Sequence, residues 1–311
     1  MKQLARIATA SVVLTYLHLV FGGIVRISGS GMGCGDHWPR CNGSWVPPFD
    51  NPTVMIEYTH RLLALLVIVS IALLAIVAYR RRAEPGVGAG AGGEAGGVLG
   101  PAVTALVLVV AVALLGMVTV KLGNRPIATI AHWTLALALL GVVVAAAIRA
   151  GALGGSEARA QGGTPRAMRS LGAGAALAFL TVVMGGLVAK LPGAAVACPS
   201  FPLCGTTPAG VPAGASHVQL SHRILAYVLF FHVLGVSTAI SRRAGEARPV
   251  QRAAKIAVGL VLLQLGIGAA MVLSQLPAGL RSVHQAIGIA VWLSLFLATY
   301  LARTAARTKL T

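Results

Sequence analysis

Two stretches of this chain set a His-Arg pair at the mouth of a long apolar run, EYTHRLLALL over 57–66 and QLSHRILAYV over 219–228. Two further histidines stand alone in apolar surroundings, His132 in AHW (131–133) and His284 in VHQ (283–285). Imidazoles in segments with so few charges are costly and mark function by default, either proton handling or metal ligation. A zinc site would want closer ligand spacing and more Cys or His. Glu57 and His60 form Glu-x-x-His, the motif of di-iron bundles, but such bundles need several carboxylates and the second copy has Gln219 where the first has Glu57. The chemistry left is two imidazoles facing each other to hold haem iron by its axial positions. Arg61 and Arg223 follow their histidines directly, where they either pair with haem propionates or snorkel to lipid headgroups.

The two copies differ at one chemically telling position. A carboxylate three residues before a ligating histidine lies on nearly the same helix face, so Glu57 can take a proton or stabilise positive charge during an oxidation at the haem edge. Gln219 cannot accept a proton in that way. The first half therefore reads as reactive, and the second as an electron-transfer or structural site. Of the other histidines, His37 and His217 fall in or beside loops, and His18 and His232 have no counterpart in the other half. Packing or interhelical hydrogen bonding is the expected role of the latter pair.

The elements that hold these residues must be membrane helices. Hydrophobic residues make up 57% of the 311 and charged ones 10%. Runs of spanning length recur at about 6–26, 55–79, 101–122, 127–149, 170–190, 216–241, 252–276 and 280–302. A β-barrel would show short alternating segments instead. The expected class is an all-α integral membrane protein of eight transmembrane helices. The start MKQLARIATASVVL reads as a retained first helix, since no small-residue cleavage site follows it. The net charge of +18 is strongly sided: seventeen of the 25 Lys and Arg, among them Lys2, Arg80–Arg82, Arg166, Arg242 and Arg303, fall in even-numbered loops and at the ends. The positive-inside rule then puts both termini in the cytoplasm of a cell-membrane protein, with the basic clusters on anionic lipid headgroups. Nucleic acid is not an expected partner, because no recognition motif accompanies the charge. Each of the four key histidines falls roughly 6–9 Å inside its helix from the outer end, at ~1.5 Å per residue. All four thus share one layer.

This topology places two long loops, 27–54 and 191–215, on the outer side, and they hold all four cysteines: Cys34 and Cys41, Cys198 and Cys204. Outside the cytoplasm each pair can close a local disulfide. Whether these are plain loop staples or a redox-active dithiol stays open at this point. The stretch AEPGVGAGAGGEAGGV (83–98) reads as a flexible spacer, and 151–168 as a polar, Gly-rich seam between halves 1–150 and 169–311. GGIVRISGSGMGCGDHWPRC (22–41) parallels GGLVAKLPGAAVACPSFPLC (185–204), THRLLA parallels SHRILA, and LLGMVTV (114–120) is similar to QLGIGAA (264–270). The chain thus reads as a duplicated four-helix unit, two tandem bundles about a pseudo-two-fold axis along the membrane normal. Gly22, Gly23, Gly116, Gly185, Gly186, Gly266, Gly268 and Gly288 would give a flat macrocycle room, or serve close helix packing.

Taken together, GSGMGCGDHWPRCNG in the first loop, EYTHR, AHW, SHR and VHQ resemble the haem A synthase family, in the branch with two cysteine pairs found in Gram-positive bacteria. The likeness runs over essentially the whole chain. It implies an oxidoreductase that takes the C8 methyl of haem O to a formyl group, through the alcohol haem I and a hydrated aldehyde, supplying haem A to terminal oxidases. It implies that His60 and His132 face the substrate haem with Glu57 catalytic, and that His222 and His284 hold a b-type haem cofactor. It implies that Cys34 and Cys41 matter for turnover, with the second pair mostly structural. Expected partners are haem O delivered by haem O synthase, membrane lipid and an unidentified electron-transfer protein. A homo-oligomer is left open. A bis-histidine dihaem electron carrier, linked to quinol and doing no chemistry on haem, is the alternative reading of the same residues.

Overall fold

The computed structural model describes residues 1–88, 96–243 and 245–307. The fold is helical throughout, apart from one isolated bridge between Cys41 and Ser44. The helices are α1 (Lys2–Ile27), α2 (Pro52–Arg80), α3 (Leu99–Lys121), α4 (Pro126–Arg149), α5 (Gly155–Gln161), α6 (Pro165–Lys190), α7 (Ala215–Arg242), α8 (Arg248–Leu273) and α9 (Ala278–Arg307). All but α5 are long and apolar enough to cross a membrane, which gives the eight expected spans. Proline at the first or second position starts α2, α4, α6 and α8, where its missing N–H costs nothing. The Asn51 side chain accepts the Thr53 N–H ahead of α2, and the Thr164 side chain accepts the Ala167 N–H ahead of α6.

The chain divides into two compact units, residues 1–156 and 157–311. In the first, α1 packs on α2, α2 on α3, α3 on α4 and α4 on α1, closing a four-helix ring. In the second, α6, α7, α8 and α9 close the same kind of ring. Small residues line these contacts: Ala8, Ala78, Ala102, Ala105 and Ala146 in the first, Ala178, Ala254, Ala257, Ala298 and Ala302 in the second, all buried. Without a hydrophobic drive between helices in lipid, close backbone approach is what makes such bundles cohere. The complementary faces are apolar and exposed, as with Leu65, Leu66 and Val69 on α2 or Val107 and Val110 on α3.

Of the spacer read over 83–98, residues 89–95 lie outside the described residues. Its flanks are tied together, since Val98 and Leu99 donate backbone N–H groups to the Gly86 and Val87 carbonyls. The seam read over 151–168 is more ordered than expected. It carries α5, and the Glu246 carboxylate accepts hydrogen bonds from the Thr164 hydroxyl and backbone N–H.

Candidate functional site: imidazoles seated on glycines beneath two disulfide loops

From Pro52 to His60 is eight residues, from Pro126 to His132 six, from Ala215 to His222 seven and from Ala278 to His284 six. At ~1.5 Å per residue this is roughly 9–12 Å below the helix starts. Each histidine thus stands about two turns inside its own helix, a little deeper than the apolar runs suggested.

Each histidine lies against a glycine of the neighbouring helix. A Cβ built on Gly22 would stand 3.2 Å from His60 Cε1, on Gly116 3.1 Å from His132 Cε1, on Gly185 3.0 Å from His222 Cε1, and on Gly268 3.2 Å from His284 Cε1. So α1 seats the α2 imidazole and α3 the α4 imidazole, and α6 and α8 repeat this for α7 and α9. These four glycines are ring seats, which is more specific than room for a macrocycle. Gly266 faces open space and Gly288 faces Gln264, so neither touches a ligand candidate. The seats also pair Gly116 with Gly268, two residues off the register read from LLGMVTV and QLGIGAA.

Two rings are locked by backbone. His132 Nδ1–H donates to the Val112 carbonyl at 3.0 Å, and His222 Nδ1–H donates to the Thr181 carbonyl at 3.0 Å. Only an N–H can face a carbonyl, so both carry their proton on Nδ1 and keep the Nε2 lone pair for a metal. The other two rings lack that lock. His60 Nδ1 and His284 Nδ1 are buried without a hydrogen-bond partner. His60 is instead stacked on His18, ring centroids 4.3 Å apart and planes 25° apart. The Gln264 amide lies 3.2 Å from His284, its Nε2–H donating to the ring Nε2.

The loops close onto the same helix ends. Cys34–Cys41 and Cys198–Cys204 are both disulfide-bonded. Glu57 is buried, and its Oε2 accepts the Cys34 backbone N–H at 2.9 Å. Gln219 is buried too, and its Oε1 accepts the Cys198 backbone N–H at 3.0 Å. Gly33 fits only as glycine, since a Cβ there would stand 2.3 Å from the Thr53 carbonyl oxygen of α2.

The arginines anchor the loops. Arg61 Nη1 donates to the His37 and Arg40 carbonyls at 2.9 and 2.8 Å, and its Nη2 to Glu57 Oε1 at 2.5 Å. Arg223 Nη1 donates to Ser200 and Leu203 carbonyls at 2.6 and 2.8 Å, and its Nη2 to the Cys198 carbonyl at 2.7 Å. Both guanidiniums are turned into their cysteine loops and donate to loop carbonyls. The motif HR thus reads as a ligand plus a loop anchor.

Among the remaining histidines, His37 is exposed beside Asp36, and His217 is exposed at the start of α7. His232 makes the expected interhelical bond, its Nε2–H donating to the Ser170 carbonyl at 3.0 Å. Sequence reasoning placed His18 with packing residues and passed over Gln264. In sequence each is simply a polar residue in an apolar run; that His18 stands opposite Thr181 and Gln264 opposite Val112 emerges from the glycine seats.

The donor set fits haem better than a bare ion. Among the described residues no group of three or more His, Cys, Asp and Glu is placed to hold a metal. In each unit, one imidazole of fixed tautomer, a second with an unpartnered Nδ1, and a glycine seat beside each ring suit a flat macrocycle ligated by two imidazoles. Comparison with known proteins points the same way. The chain is 28% identical over 283 residues to a protein named heme A synthase from Geobacillus kaustophilus, covering 91% of this chain and 86% of that one. It is 26% identical over 288 residues to that of Geobacillus thermodenitrificans, at 91% and 86% coverage, and 26% identical over 285 residues to that of Bacillus licheniformis, at 91% and 90%. Residues 5–296 match COX15-CtaA, cytochrome oxidase assembly protein, and the chain belongs to that family.

Proposed function

We propose that this protein is a haem A synthase, an oxidoreductase that converts the C8 methyl of haem O to a formyl group. The observation that carries the reading is the buried Glu57 carboxylate standing three residues from the seated His60 in the first unit alone. Supporting it are relatives of that name aligned over nearly the whole chain.

In this reading the first half, residues 1–150, takes haem O between His60 and His132. The seam 151–168 leads to the second half, 169–311, where His222 and His284 hold haem b. When bound, haem b supplies one-electron transfer between the reacting site and an external electron partner. Every other contribution is the chain's own. The Val112 and Thr181 carbonyls fix imidazole tautomers, so His132 and His222 offer Nε2 as ligands. Glu57, held by the Cys34 N–H and Arg61, keeps an oxygen-rich, negatively charged face at the layer of the histidines. There it accepts protons released as methyl becomes alcohol and then hydrated aldehyde, or stabilises positive charge that develops at the oxidised carbon. The disulfide loops roof this layer and limit water. Termini on the cytoplasmic side and loops on the outer side follow from the charge asymmetry, and haem O would arrive through the membrane from haem O synthase.

The test is expression of the full chain with a haem O source, followed by mass spectrometry of the extracted haems. Haem I and haem A are the expected products. If bound haem is recovered with neither product, the dihaem electron-carrier reading replaces this one.

A further inference from the structure

We propose that His18 is a second, exchangeable imidazole for the substrate's iron on the His60 side. His18, on α1, is stacked on His60, ring centroids 4.3 Å apart, whereas the second unit has Thr181 in its place. The His18 Nε2 is buried without a hydrogen-bond partner. A buried ring nitrogen left unpaired costs free energy, so it is retained where something supplies the missing partner.

The neighbour it stacks on is the unlocked one. In the second unit the residue in the register of His18 is Thr181, whose carbonyl takes the His222 Nδ1 proton and fixes that ring. The equivalent bond is not made to His60, whose Nδ1 is unpartnered. His132 on the opposite side is fixed by Val112. The first unit therefore offers a fixed imidazole on one side and, on the other, two stacked rings of which His60 Nδ1 and His18 Nε2 have no partner. A substrate that must enter and leave needs an axial bond that breaks easily. Two adjacent imidazoles let that bond pass from one to the other without exposing the iron to water or to small ligands.

This inference rests on the first half holding haem between His60 and His132. It is tested on the purified full-length protein in lipid nanodiscs, loaded with haem B, with haem per chain and the ferric low-spin signal as readouts. His60→Ala is expected to retain first-half haem as a low-spin, six-coordinate species, because His18 takes the iron. His60→Ala/His18→Ala is expected to lose that species, while the second-half haem persists as an internal standard. Loss of low-spin first-half haem in His60→Ala alone overturns the proposal. His18→Phe, which keeps a stacked ring but no nitrogen, gives an independent reading with His60 intact. Carbon monoxide binding to its reduced first-half haem should quicken roughly five- to tenfold, the weight of one lost competing contact. An unchanged rate overturns the proposal as well. Wild-type protein whose first half takes no haem sinks both this inference and the ligand reading beneath it, a result distinct from either variant failing alone.

Discussion

Glu57 and Gln219 do the same structural task in the two units. Each is buried under its loop, and each accepts the backbone N–H of the loop's first cysteine, at 2.9 and 3.0 Å. Docking the loop needs one acceptor oxygen, and an amide provides it as well as a carboxylate does. The negative charge of Glu57 is therefore surplus to the fold. A buried charge is kept only where it is paired and useful. Arg61 meets the pairing requirement. The use must lie in what only the first unit does, and that is why the oxidation is assigned there.

The sharpest way to break this comparison is to make the units alike. Glu57→Gln should abolish haem A and haem I formation, read by mass spectrometry, while haem content and the Cys34 loop stay intact. Gln219 already demonstrates that the amide fits. Product at the wild-type level would remove the catalytic role from Glu57. The reciprocal Gln219→Glu change should leave product formation nearly unchanged, since the charge would sit in the half that does no oxidation.

Much of this contrast was legible before any coordinates. The His60/His222 repeat, the Glu57/Gln219 difference and the eight apolar spans follow from residue type and spacing, because membrane length and lipid polarity constrain sequence strongly. What the sequence hid is what depends on rotation about helix axes and on loop closure. From sequence, Arg61 reads either as a propionate partner or as a residue snorkelling to headgroups, because its neighbours there are a ligand candidate and a helix. Its actual acceptors, the His37 and Arg40 carbonyls, lie more than twenty residues away in a folded loop. Similarly, the glycines stood out by type, but only the interhelical register shows that Gly22, Gly116, Gly185 and Gly268 touch imidazoles while Gly266 touches nothing.

Those seats give the next largest effect, and one that can address either unit at will. A Cβ at Gly116 would stand 3.1 Å from His132, and at Gly268 3.2 Å from His284, and both rings are wedged between helices. Gly116→Val should displace His132 and cost haem from the first unit alone; Gly268→Val should do so in the second. Haem per chain, counted by pyridine haemochrome, should fall by about half in each, with ~1–3 kcal/mol of overpacking strain behind it. Haem content at the wild-type level in both variants would mean the seats do not set the ligands.

A smaller difference separates the arginines. Arg223 spends its guanidinium on carbonyls of its loop alone, whereas Arg61 divides its own between loop carbonyls and Glu57. Arg223→Gln should loosen the 198–204 loop, seen as faster backbone hydrogen exchange there, and spare product formation. Arg61→Gln should loosen its loop and also depress product, because it frees a buried carboxylate from its only cation. Hydrogen bonds to charged groups contribute about 1.5–3 kcal/mol each, enough for exchange to quicken tenfold or more. If Arg61→Gln behaves like Arg223→Gln in both readouts, the pairing with Glu57 is ornamental.

The disulfides should give the finest split. Both close short loops, seven and six residues apart in sequence, so the chain-entropy contribution is similar, about 2 kcal/mol each. Reduction, or replacement by serine, should therefore lower thermal stability by comparable amounts in either unit. Their consequences for chemistry should differ. The N–H of Cys34 is a hydrogen-bond donor to Glu57, so a loop released at Cys41 takes a partner from the carboxylate proposed to act in the oxidation. Cys198 gives its N–H to Gln219, which has no proton to take. Cys34→Ser/Cys41→Ser should thus cut product several-fold more than Cys198→Ser/Cys204→Ser at matched stability. Matched losses of both stability and product would make the two loops equivalent staples, and the asymmetry would then rest on Glu57 alone.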